Sequence, residues 1–153
     1  MPHSPSVLIL EENEGHRFLI EDRFRSEFPT AEILNAHTLR EASEMLPKKR
    51  WDLVIMNWEI SDGKGSEFLD EISLKNPFTA VAILTEKPVE DSGDDLPDAR
   101  RLQHSGAVEF MTKDRRTLDS FMVRINGLLK NSRRIHPGLP FRDPLTAVYT
   151  RAY

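Results

Sequence analysis

Apolar residues in this chain fall into two alternating rhythms. Short, strongly apolar runs occur at Ser6 to Leu10, Glu32 to Ala36, Leu53 to Met56, Ala80 to Leu84 and Gly106 to Lys113. Leu53 to Met56, apolar on both of its alternating sets, predicts a strand covered on both faces, as in a parallel sheet, and the other runs predict further strands. Between the runs the spacing changes to that of a helix. Leu19, Ile20, Phe24 and Phe28 recur among charged residues from Gly15 to Phe28, and Pro29 stops the helix they predict. Thr38-Leu-Arg-Glu41 is a capping box that opens a second helix ending at Pro47. A third helix is predicted from Ser66 to Asn76, with Phe68, Leu69 and Ile72 inward and Pro77 as its stop. Lys87 to Pro97 is a breaker-rich loop, followed by a short fourth helix around Asp98 to His104. The clearest helix is Thr117 to Lys130, with Leu118, Phe121, Met122, Ile125, Leu128 and Leu129 at helical spacing. Strand and helix thus alternate strictly, which calls for an α/β domain with helices on both faces of a parallel sheet.

Polar chemistry gathers where the strands end. Glu11 and Glu12 follow the first strand, Asn57 the third, Thr85 the fourth and Lys113 the fifth. In a doubly wound sheet of strand order 2-1-3-4-5 these ends converge on one crevice. Two adjacent carboxylates are a hard-oxygen site for Mg²⁺, and a lysine with a threonine hydroxyl can hold an anionic oxygen. Two plainer readings stand beside these. Asn57 can simply begin a loop, and Glu11 and Glu12 can be solvated carboxylates near the start of a helix.

Composition narrows the function classes. With 153 residues, 30% of them charged, and a net charge of −4, the chain lacks the basic footprint of a nucleic-acid binder. It has no cysteine, so disulfide and thiol chemistry are excluded. No apolar run approaches membrane-spanning length, and the start lacks the basic and apolar regions of a signal peptide. A cytoplasmic protein is expected.

The acidic pair Glu11-Glu12, the segment Asp52 to Gly65, Thr85 and the run Gly106 to Lys113, in this order and spacing, resemble the receiver domain of two-component response regulators, the CheY-like superfamily. The resemblance covers Ser6 to about Asn131 and implies a flavodoxin-like (βα)5 fold in a phosphorelay. In that family an aspartate ending strand 3 takes a phosphoryl group from a histidine kinase, with Mg²⁺ held by the acidic pair. Asn57 stands at that position here. An amide has a delocalised nitrogen lone pair and no charged oxygen, so the usual phosphorylation should be absent, as in a pseudo-receiver. The implied metal ligands are Glu11, Glu12 and the backbone carbonyl of Glu59, and Mg²⁺ binding should be weak. The family usually carries aspartates in the acidic pair, a proline where Ser61 stands and another where Asp114 stands. Lys113 matches the phosphate-binding lysine, and with Asn57 uncharged its expected partner is Glu11 or Glu12. Thr85 and Phe110 match the family's switch pair, with ordinary packing expected for Phe110. His16, His37 and His104 are expected at the surface. Trp58 is expected beside the crevice rim and Trp51 near the start of strand 3, both in packing roles.

The tail from Asp143 to Tyr153 resembles the opening of a diguanylate cyclase (GGDEF) domain through Asp143, Leu145, Thr146 and Arg151, while Ala147 and Thr150 depart from it. The expected organisation is a receiver-like domain over 5–131, a linker over 132–142, and the start of an effector domain over 143–153. The expected function is a phosphorylation-independent interaction or dimerisation module, not itself an enzyme, that regulates the attached effector. Its expected partners are a histidine kinase, another signalling protein or a second copy, through the fourth helix, fifth strand and fifth helix. The rival is an ordinary phospho-accepting receiver controlling a diguanylate cyclase, with Asn57 an exceptional replacement. A further rival places the phosphoryl group on Asp62 or Asp52.

Overall fold

The structure is a computed structural model that describes residues 4–86, 108–113 and 115–135. The breaker-rich loop, the helix expected around Asp98 to His104, Asp114, most of the linker and the tail lie outside the described residues. Elements follow in the order β1 (Ser6–Leu10), α1 (Glu14–Glu27), β2 (Glu32–Ala36), α2 (Leu39–Met45), β3 (Leu53–Asn57), β4 (Glu59–Ile60), β5 (Gly63–Lys64), α3 (Gly65–Lys75), β6 (Ala80–Thr85), β7 (Val108–Thr112) and α4 (Arg115–Ile135). A single 3₁₀ turn, Leu46–Lys48, follows α2, because Pro47 cannot continue the α-helix.

The main sheet is five-stranded, ordered β2-β1-β3-β6-β7, and every pairing in it is parallel. With the small β4–β5 hairpin set aside, this is the expected 2-1-3-4-5 order. Successive residues of the strands point to opposite faces, so each strand feeds two cores. Val7, Ile9, Leu53, Ile55, Ala80 and Ala82 pack under α1 and α4, against Ile20, Phe24, Phe121 and Ile125. Leu8, Leu10, Val54, Met56, Val81 and Ile83 pack on the other side with Ala42, Leu46, Phe68, Leu69 and Ile72. Each such large side chain contributes about 1.5–3 kcal/mol through burial. Two-sided burial is therefore the reason these runs are uniformly apolar.

Helix α2 opens at the expected Thr38 cap, while α1, α3 and α4 start one or two residues earlier than expected. Asn13 caps α1 by accepting from the His16 backbone N–H at 2.9 Å, so the helix begins at Glu14. Helix α4 runs from Arg115 to Ile135, and the residues 132–135 expected to open the linker continue it. A further departure is local. The segment after Asn57 is a hairpin, in which Glu59 pairs with Lys64 and Ile60 with Gly63. Gly65 follows it closely, and a Cβ there would sit 2.8 Å from the Trp58 ring and 2.9 Å from its carbonyl oxygen. Among the described residues no helix is long and apolar enough to cross a membrane.

Candidate functional site

Parallel pairing brings the carboxyl ends of β1, β3, β6 and β7 side by side, and the polar residues that end them share one crevice. Glu11, the residue after β1, is 2% exposed and both of its oxygens are taken. One accepts from Lys113 Nζ at 2.8 Å and the other from the Asn13 backbone N–H at 3.0 Å. Lys113 follows β7, where its own N–H donates to the Thr85 carbonyl at 2.7 Å. Its ammonium group also lies 3.8 Å from Glu86. Both members of the Glu11–Lys113 pair are withdrawn from water, with side-chain exposures of 2% and 8%. Such a pair holds its geometry because breaking it strands a charge.

Asn57 ends β3 and is 3% exposed. Its Nδ2 donates to the Glu59 carbonyl at 2.9 Å, while its Oδ1 is buried without a hydrogen-bond partner. The orientation is fixed by that carbonyl, since the opposite flip would set two oxygens against each other. Glu12 turns the other way. It is exposed, and its Oε2 accepts from the Ser61 N–H at 3.0 Å and from the Ser61 hydroxyl. The Glu59 carboxylate accepts from the Glu86 N–H at 3.2 Å. Thr85 is fully buried. Trp58 is buried and meets the half-buried Phe110 ring edge-on, with centroids 6.4 Å apart at 71°. Beside the crevice lies an open cleft of about 720 Å³, lined by Glu12, Trp58, Glu59, Lys64 and Glu86 among others.

These residues do not fit a Mg²⁺ ion as they are arranged. Mg²⁺ needs near-octahedral oxygen ligands with at least one or two free carboxylates. Glu11 is committed to Lys113 and the Asn13 N–H, and Glu12 to Ser61, while the Glu59 carbonyl accepts from the Asn57 amide with one of its two lone pairs. Among the described residues no group of three or more metal-binding side chains forms.

The structure separates residues that looked equivalent in sequence. Glu11 and Glu12 are a pair in sequence but face different partners. Asp52 lies at the amino end of β3, where its carboxylate accepts from the Ser6 N–H at 2.8 Å, so it is remote from the crevice. Asp62 is committed to the start of α2, accepting from the Leu39 and Arg40 N–H groups at 2.9 and 3.3 Å. His37 is exposed, as expected. His16 is not a plain surface residue: it is half-buried, its Nδ1 is buried, and it lines a cavity of about 50 Å³ with Leu84 and Lys113. Trp51 is buried, with its indole N–H donating to the Leu46 carbonyl at 3.0 Å. His104 lies outside the described residues. The role of Ser61 was missed. Its only signal was that a hydroxyl residue stands where the resembling family has proline.

Residues 7–126 match the family model of the response regulator receiver domain. The chain belongs to that family. It is the receiver domain of a response regulator in two-component signalling. Among curated proteins the receiver domain is similar to the response regulator protein PilR of Pseudomonas aeruginosa, 29% identical over 79 residues. That stretch is 52% of this chain and 16% of the relative, so the chain corresponds to a small part of PilR. Among solved structures it is similar to a CheY-like receiver domain protein from Methanospirillum hungatei, at 15% identity and a TM-score of 0.67, covering 86% of this chain and 98% of that one. It is also similar to the response regulator TrrA of Thermotoga maritima, whose structure is a complex with Mg²⁺ and BeF. That match has 22% identity and a TM-score of 0.65, and covers 81% of this chain and 98% of the other. At these identities the structural likeness speaks for the fold.

Proposed function

We propose that this receiver domain works without an aspartyl phosphate, as an interaction or dimerisation module that regulates an attached effector. One observation carries the reading. The residue ending β3 is an amide whose nitrogen donates to the Glu59 carbonyl at 2.9 Å, and the neighbouring Lys113 is paired with Glu11 at 2.8 Å. An aspartate there would present a nucleophilic oxygen; Asn57 presents none. The internal pair supplies the positive charge near Glu11 that a metal would otherwise supply, so the crevice is neutralised from within. Phe110 then acts as packing for Trp58 and not as half of a phosphate-driven switch, because no phosphate arrives to bias it.

In this proposal the receiver domain occupies 5–131, with a connector after it and a GGDEF-like effector start over 143–153. Helix α4 transmits the state of the domain toward that effector. The partner is a histidine kinase, another signalling protein or a second copy, docking through β7, α4 and the segment around Asp98 to His104. The setting is cytoplasmic.

The test is a titration of the domain with Mg²⁺ and beryllofluoride, a phosphoryl mimic, following Trp58 fluorescence in a Trp51→Phe background. The native chain is expected to stay silent, and acetyl phosphate is expected to leave no covalent phosphoryl adduct by intact mass. A saturable response at millimolar Mg²⁺, or an adduct, would overturn the proposal and favour an ordinary phospho-accepting receiver.

A further inference from the structure

The tip of the β4–β5 hairpin is held from both sides. Ser61 donates its backbone N–H, at 3.0 Å, and its hydroxyl to the Glu12 carboxylate in the loop after β1. Asp62 accepts from the Leu39 and Arg40 N–H groups at the start of α2, adding to the cap that Thr38 provides by accepting from the Glu41 N–H at 3.1 Å. Gly63 lets the Leu39 side chain lie against the hairpin, where a Cβ would collide with it. At the base, Asn57 Nδ2 reaches the Glu59 carbonyl and the Glu59 carboxylate reaches the Glu86 N–H. Bonds from three other segments thus pin one short hairpin beside the crevice, where it lines the open cleft with Glu12.

Two of these residues are departures from the pattern of the receiver family, and they meet each other. An aspartate at position 12 would end one methylene, about 1.5 Å, short of Ser61. A proline at position 61 would have neither the N–H nor a hydroxyl to donate. The Glu12–Ser61 bond therefore exists only because both positions depart together.

We infer that the hairpin is a closed strap that withholds Glu12 from the crevice. Replacing Asn57 by aspartate then supplies a nucleophile but not a metal site. This inference rests on the phosphorylation-independent reading of the crevice and extends it from the acceptor to the loop above it.

Two measurements test the strap. Amide hydrogen exchange on the full native chain should show the Ser61 N–H protected, and Glu12→Ala should raise its exchange about tenfold or more, as loss of a charge-assisted hydrogen bond does, with Leu39 unchanged. Mg²⁺ binding, followed by Trp58 fluorescence, is then compared in Asn57→Asp, Asn57→Asp with Ser61→Pro, and Asn57→Asp with Glu12→Asp. Both double variants should bind at least tenfold tighter than the single one. The Ser61→Pro arm leaves Glu12 in place, so a gain there cannot come from aspartate being the better ligand. Ser61→Ala, which removes the hydroxyl and leaves the backbone intact, should fall between and serves if the proline variant does not fold. Free exchange at Ser61 in the native chain, or a single variant as tight as the doubles, would overturn the strap. Saturation of the native chain by beryllofluoride instead overturns the phosphorylation-independent reading, so the two failures have different signatures.

Discussion

The two ends of the central sheet satisfy their polar groups in opposite ways. Around the buried amino end of β3 the partners are backbone. Asp52 accepts from the Ser6 N–H at 2.8 Å, its own N–H donates to the Ser6 carbonyl at 2.9 Å, and its carbonyl accepts from the Ala80 N–H at 3.2 Å. Thr79 closes the same end by donating its hydroxyl to the Trp51 carbonyl at 2.7 Å. At the carboxyl end side chains answer side chains across long stretches of chain: Lys113 to Glu11, and Ser61 to Glu12. One acceptor, Asn57 Oδ1, is buried there without a partner. The amino end holds Asp52 by backbone groups, whereas the carboxyl end gathers carboxylate, lysine and amide side chains around the end of β3. A carboxylate has a different meaning at each end, because burial and partner decide its role.

That contrast is quantitative and can be broken. The largest effect is expected for Glu11→Ala, which leaves the withdrawn Lys113 with the more distant Glu86 as its acidic partner among the described residues and should cost about 3 kcal/mol in urea unfolding. Adding Lys113→Met should recover most of that loss. If Glu11→Ala costs no more than a surface change, the crevice pair is not the buried charge couple described above. Next comes Asp52→Ala, which strips the acceptor from the Ser6 N–H and should cost about 1–2 kcal/mol without changing Trp58 fluorescence. A change at Trp58 would show that the two ends communicate. Asp62→Ala should cost about 1 kcal/mol by loosening the start of α2, visible as faster exchange of the Leu39 and Arg40 amides. The smallest effect is one of pH. Lys49, by its hydrogen bond and its charge, lowers the pKa of the exposed Glu32 carboxyl on β2. A lowered folded-state pKa means that stability is present above the ordinary carboxylate range and is lost as pH falls through the lowered value. NMR titration of Glu32 should show the depressed midpoint, and Lys49→Met should return it to normal; solvent screening keeps the stability effect small.

The three central strands were readable because both of their faces are buried, which leaves no position free to be polar from Leu53 through Met56, whereas the edge strands β2 and β7 are only partly buried and mix polar with apolar residues. The helices were readable in existence and less so at their starts, since the start of α1 is decided by an Asn13 hydrogen bond and not by apolar spacing. The β4–β5 hairpin was invisible for a different reason: strands of two residues are too short for any periodicity to register. Its Ser61 and Asp62 looked like ordinary turn residues, and their partners lie 49 and 23 positions away in the chain.

By itself, then, the amino-acid sequence determined the alternation of strand and helix, the two-sided sheet, and which residue types stand at the strand ends. It also determined that Asn57 cannot act as a carboxylate, since that is covalent chemistry. Only the tertiary structure decided that Glu11 turns inward to Lys113 while Glu12 turns outward to Ser61, and that Asp52 and Asp62 are bound to backbone N–H groups. The physical reason is that local pattern follows from burial, which every residue reports individually. A hydrogen bond instead needs two groups, and the chain must fold before the second one arrives.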